Sequence, residues 1–104
     1  MSADRPVVLR RRAARVILLD EDGHVLMIHG FDPRTPGVTY WYSLGGGIDE
    51  GEQPLQAAVR EVWEETGLRL DPAALVGPLY EEVVVFPFEG REIHQEQLLS
   101  LIHI

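Results

Sequence analysis

The chain has 104 residues, with nine Arg, no Lys, seventeen Asp plus Glu and no Cys. That length fits one domain with a thin core, and the lack of Cys excludes a disulfide framework, a thiolate metal site and a cysteine nucleophile. The net charge of −8 disfavours a polymeric nucleic acid partner, and no apolar run approaches the ~20 residues of a membrane span. Residues 1–6 lack a secretory apolar region, so the expected location is cytoplasmic.

Five of the nine Arg fall in the first fifteen residues: Arg5, Arg10, Arg11, Arg12 and Arg15. Residues 1–12 read as a flexible basic arm, and 13–104 as a single domain. Ala13 to Leu19 is a β-rich apolar run, and Asp22-Gly23 marks a turn. His24 to His29 is a second apolar run, so the pair reads as a β-hairpin. Gly30 to Thr39 reads as a loop. Tyr40-Trp41-Tyr42-Ser43-Leu44 is a short strand whose alternate rings are expected in the core, and it runs into Gly45-Gly46-Gly47.

Pro54 suits the first turn of a helix, Leu55, Ala58, Val59, Val62 and Thr66 recur at helical spacing, and Gly67 suits its end. Tyr80 to Phe88 and Arg91 to Ile104 read as strands joined at Glu89-Gly90. Glu96 lies on the last of these.

The helix carries the chemistry. At ~100° per residue, with Glu61 at zero, Glu65 falls near 40° and Glu64 near 300°. Three carboxylates therefore share one arc beside the apolar stripe. Like charges at this spacing repel, and near a helix C-terminus they also oppose the macrodipole. A bound divalent cation removes the conflict, since hard oxygen ligands are what Mg²⁺ prefers. Arg60, one turn before Glu64, is positioned to pair with it. The three glycines allow backbone to approach a ligand closely.

The stretch Gly46 to Leu68 resembles the Nudix box, G-x5-E-x7-R-E-U-x-E-E-x-G-U with U apolar, and matches every defined position. The order of elements over roughly residues 13–100 is similar too. The resemblance implies an α/β (α+β) fold, an α/β/α sandwich with a mixed sheet. It implies metal-dependent hydrolysis of a small-molecule nucleoside diphosphate linked to a group X, by water attack on phosphorus. Carried onto this chain, Glu61, Glu64 and Glu65 hold Mg²⁺, with Mn²⁺ as an alternative. The carbonyl of Gly45 or Gly46 is a further metal ligand. Arg60 orients a glutamate, and Glu52 is an auxiliary metal or water-positioning group. The general base stays open.

Two departures stand out. Leu44 precedes the glycines where family members often have Pro. Members also continue into a second long helix that covers the sheet, so the fold is expected to be incomplete, with one sheet face bare. A homodimer would cover that face. Two rivals remain beside the hydrolase reading: a nucleotide-binding Nudix-like module without catalysis, and an inactive fragment of a larger hydrolase.

Overall fold

A computed structural model describes residues 7–104. Strands β1 (Val7–Leu19), β2 (Met27–Phe31) and β3 (Thr39–Gly47) precede helix α1 (Pro54–Thr66). A 3₁₀ turn at Pro72–Ala74 leads into β4 (Val76–Phe88) and β5 (Arg91–His103). The strands form one sheet in the order β2-β3-β1-β5-β4. β1 runs parallel to β5, and the other pairs are antiparallel, so the sheet is mixed.

Side chains alternate across a strand. Ala14, Val16 and Leu18 of β1 therefore share one face, where they meet Ala57, Ala58 and Val62 of α1. Leu44, Leu70, Leu75 and Ile102 complete this core. α1 starts at Pro54, whose missing N–H is one the first turn cannot use. It ends where Gly67 turns left-handed (φ 77°) and donates its N–H to Trp63 O at 2.9 Å. The glycine stop and the proline start are both where the sequence put them. Among the described residues α1 is the one α-helix, and no helix is long and apolar enough to cross a membrane. The opposite sheet face leaves Tyr80 exposed, and the β4 residues Val83 and Val85 are exposed as well.

Three expectations change. Residues 7–12, expected in a flexible arm, are the first half of β1 and pair with Arg91 to Glu96 of β5. The ladder needs only backbone groups, and Leu9 lies opposite the buried Ile93, so the exposed arginines do not prevent it. Residues 1–6 of that arm lie outside the described residues. The hairpin of β1 and β2 is reduced to its turn: Asp20 donates to His24 O at 3.0 Å and Leu26 to Leu18 O at 3.0 Å. β2 then pairs with β3, because the edges of β1 are taken by β3 and β5. Finally, Tyr40, Trp41 and Tyr42 are all exposed, and Leu44 is the residue of β3 that enters the core.

Gly45 has φ 126°, and a Cβ there would lie 2.0 Å from Ala14 O. Backbone strain and overlap then act together. Gly45→Ala is expected to lose about 3 kcal/mol or more of unfolding free energy. Gly23→Ala, also at positive φ but with nothing within 4 Å, is expected to lose about 1 kcal/mol. Urea midpoints of the two variants check this, and equal midpoints would contradict the close-approach account.

Candidate active site

The end of β3, the loop after it and the outer turns of α1 meet at one guanidinium. Arg60 forms a two-pronged pair with Glu52, Nε to Oε2 and Nη2 to Oε1, each 2.9 Å. Its Nη1 donates to Glu61 Oε1 at 2.9 Å and to Glu64 Oε1 at 3.2 Å. Nη2 also donates to the Gly47 carbonyl at 2.8 Å, and Asp49 lies 3.5 Å away. A planar fork can serve this many acceptors at once, which an ammonium cannot. The expected Arg60–Glu64 pair is present. The pairing with Glu52 is the more complete one, and it ties the loop to the helix.

The carboxylates do not stand alike. Glu61 keeps 17% of its side chain exposed and Glu52 16%, against 52% for Glu64. A Cβ on Gly46 would sit 2.5 Å from the Glu61 carboxylate, so the bare glycine is the floor on which that group rests. One turn along, Glu65 Oε1 accepts the Gly45 N–H at 2.7 Å. Glu61 and Glu65 thus rest on successive glycines of β3, while Glu64 points outward.

The charges shift accordingly. The Arg60 fork, with help from the Asp49 N–H, holds the Glu52 carboxyl below its ordinary range. The same carboxylates push the Arg60 guanidinium upward. Desolvation raises the Glu65 carboxyl, the Gly45 hydrogen bond opposes this, and the charge of Glu61 adds to the rise.

A residue to which sequence reasoning gave no part in the site also belongs here. Arg15 donates from Nη1 to the Gly45 carbonyl at 3.2 Å and from Nε to Gln97 Oε1 at 3.2 Å. Its signal was a lone charge inside the apolar run Ala13 to Leu19. Glu96 instead faces Arg12 at 3.8 Å, and Arg34 pairs with Asp32 in the β2–β3 loop.

The box offers oxygen donors: the Glu61, Glu64 and Glu65 carboxylates and the backbone carbonyls of its glycines, of which that of Gly45 accepts from Arg15. That chemistry fits Mg²⁺ or Mn²⁺ and not a soft metal. A separate group, Asp20, Asp22 and His24, lies in the β1–β2 turn. There Asp20 Oδ1 accepts the Asp22 and His24 N–H groups at 2.9 and 2.8 Å, so this acid closes the turn.

Because the folded-state pKa of Glu52 is depressed, its ion pair contributes stability above the unfolded value, ~4.3. That contribution is lost as pH falls through the lower folded value. Glu52→Gln is therefore expected to lower the urea midpoint at neutral pH, with the deficit shrinking as pH falls below the unfolded value. A deficit that stays constant with pH would contradict an ionic role.

A family model of the NUDIX domain matches residues 9–103. An RNA pyrophosphohydrolase of Mesorhizobium japonicum is 36% identical over 104 residues, covering 90% of this chain and 60% of that protein. One of Erythrobacter litoralis is 37% identical over 104 residues, covering 92% of this chain and 62% of that protein. The chain thus spans about three fifths of the length of these two curated relatives. Among solved structures, a MutT NUDIX hydrolase from Burkholderia pseudomallei superposes with a TM-score of 0.64. It is 26% identical and covers 92% of this chain and 68% of that one. With its box intact and the family match running almost end to end, the chain belongs to the Nudix domain family.

Proposed function

We propose that the site hydrolyses a diphosphate bond of a nucleoside diphosphate derivative, using a divalent cation, Mg²⁺ or Mn²⁺. The observation that carries this reading is the seating of Glu61 and Glu65, one turn apart on α1, against the successive glycines Gly46 and Gly45 of β3. When bound there, the cation supplies charge neutralisation of the diphosphate and a more acidic water.

The residues then divide the work. Glu61 and Glu65 hold the cation, with the Gly45 carbonyl as a further oxygen ligand. Arg60 keeps Glu61 and Glu64 from swinging away, since its Nη1 binds both. Glu52 fixes Arg60 from the loop and is a positioning residue, because both of its oxygens are engaged by the guanidinium. Glu64, whose side chain is 52% exposed, takes the proton of the attacking water and passes it to solvent.

The names of the curated relatives widen the substrate class to the 5′ end of an RNA. Local charge favours that second reading more than the net charge suggests. Arg10, Arg11 and Arg12 line a depression with Gly47 to Glu52, beside the box loop. A short 5′ terminus needs only such a local basic edge.

Mg²⁺-dependent product release from a panel of nucleoside triphosphates, dinucleoside polyphosphates, nucleotide sugars and 5′-triphosphorylated RNA tests the proposal. Glu65→Gln is expected to reduce turnover at least ~100-fold, and Glu64→Gln to reduce kcat by ~100-fold. Wild-type turnover equal to that of Glu65→Gln would sink the hydrolase reading. Nucleotide binding without turnover would instead favour a binding module.

A further inference from the structure

Opposite α1, the sheet carries a groove of about 180 Å³ lined by Arg15, Ser43, Tyr80, Glu82, Gln97 and Leu99. The register puts Tyr80, Leu99, Arg15 and Gly45 in one row across β4, β5, β1 and β3. Glu82, Gln97 and Ala13 form the next row. The groove therefore begins at Arg15, which reaches the Gly45 carbonyl, and runs away from it toward the β4 edge.

Its polarity is fixed. At the Gly45 end stands Arg15, which has no ion-pair partner among the described residues. At the far end stands Glu82. Between them, Gln97 Oε1 accepts from Arg15 Nε at 3.2 Å and from the buried Gln95 Nε2 at 3.3 Å. The reversed amide would face two donors with a third, so its orientation is set. Gln97 Nε2 then donates to Glu82 Oε1 at 3.2 Å, which leaves Glu82 Oε2 without a hydrogen-bond partner among the described residues.

We propose that this groove holds the nucleobase of the substrate and selects guanine. The inference rests on reading the box as a diphosphate site. With phosphate at the Gly45 end, Arg15 offers its charge to the phosphates and Glu82 meets the base. A carboxylate takes two adjacent N–H donors side by side. Guanine presents its ring N–H next to its amino group. Adenine sets its amino group beside an acceptor nitrogen, and uracil sets its single N–H between two carbonyls. The Tyr80 ring, 56% exposed, gives the base a flat surface. Glu82 is thus the specificity residue, Gln97 positions it, and Arg15 joins the groove to the site of cleavage.

Equilibrium titrations of the full chain in Mg²⁺ with GDP, ADP and inorganic pyrophosphate test this, with amide shifts followed by NMR. GDP is expected to bind about tenfold more tightly than ADP. Its shifts should include Tyr80, Glu82, Gln97 and Leu99. Glu82→Gln should bring the GDP-to-ADP ratio to about one, and Arg15→Gln should weaken all three ligands. A wild-type ratio near one, or a ratio that Glu82→Gln leaves unaltered, overturns the proposal. Shifts confined to residues 45–65 overturn it while leaving the diphosphate site standing. No binding of any of the three ligands removes both.

Discussion

Four acidic residues gathered around one guanidinium form the constraint from which the site follows. Glu52, Glu61, Glu64 and Asp49 all lie within 4 Å of Arg60 nitrogens. Without the guanidinium, the loop acids and the helix acids would repel, and the loop would swing from α1. With it, Gly47, Asp49 and Glu52 are stapled to the helix through a single planar group. The pair with Glu52 is the firmest, because it has parallel bonds and both side chains are mostly buried. Charge-assisted bonds of this kind are about twice as strong as neutral ones. The stapled loop is also what keeps the end of β3 against the helix.

The second requirement is the absence of side chains at the end of β3. Gly45 lets Ala14 O approach where no Cβ fits, and Gly46 yields its space to the Glu61 carboxylate. Sheet and helix thereby come close enough for Glu65 to reach a backbone N–H of the strand. The two features cooperate: Arg60 sets where the carboxylates stand along the helix, and the glycines set how near they come to the sheet.

Much of this was legible from the residues. Proline, the apolar spacing and Gly67 fixed α1 to its last residue, because helix ends depend on local chemistry that a short window contains. The carboxylate arc was legible for the same reason. What lay hidden depended on partners distant in the chain. Residues 7–12 are ordered by β5, more than eighty positions later, and no local pattern reports such a ladder. β2 was misassigned to β1 because a turn signal shows that the chain reverses without showing which strand the returning segment joins. The separation of Glu64 from Glu61 and Glu65 was equally invisible, since a helical wheel gives an angle and not the neighbour that fills it. Arg15 is the instructive case. It stands as one charge within an apolar run, and only the fold reveals that the Gly45 carbonyl is its partner.

On the proposed function, the charge of the site accounts for how an acidic chain would take an anionic ligand. Asp49, Glu52, Glu61, Glu64 and Glu65 against Arg60 and Arg15 leave a formal local excess of three negative charges. Burial is the main reason that the Glu65 carboxyl is raised, and the charge of Glu61 adds to it. Two things relieve such an excess, a proton or a cation. A proton relieves one carboxylate and removes it as a ligand. A divalent cation relieves several at once and keeps them ionised, so it is the better answer at neutral pH. Neutralised in this way, the site would no longer repel phosphate, and the arginines of β1 would govern what approaches. Arg10 and Arg12 lie along one edge of the box loop, and Arg15 lies under its glycines. The net charge of the chain therefore sets its solubility and its long-range behaviour, while recognition is decided within a few ångströms by positive groups that the total conceals.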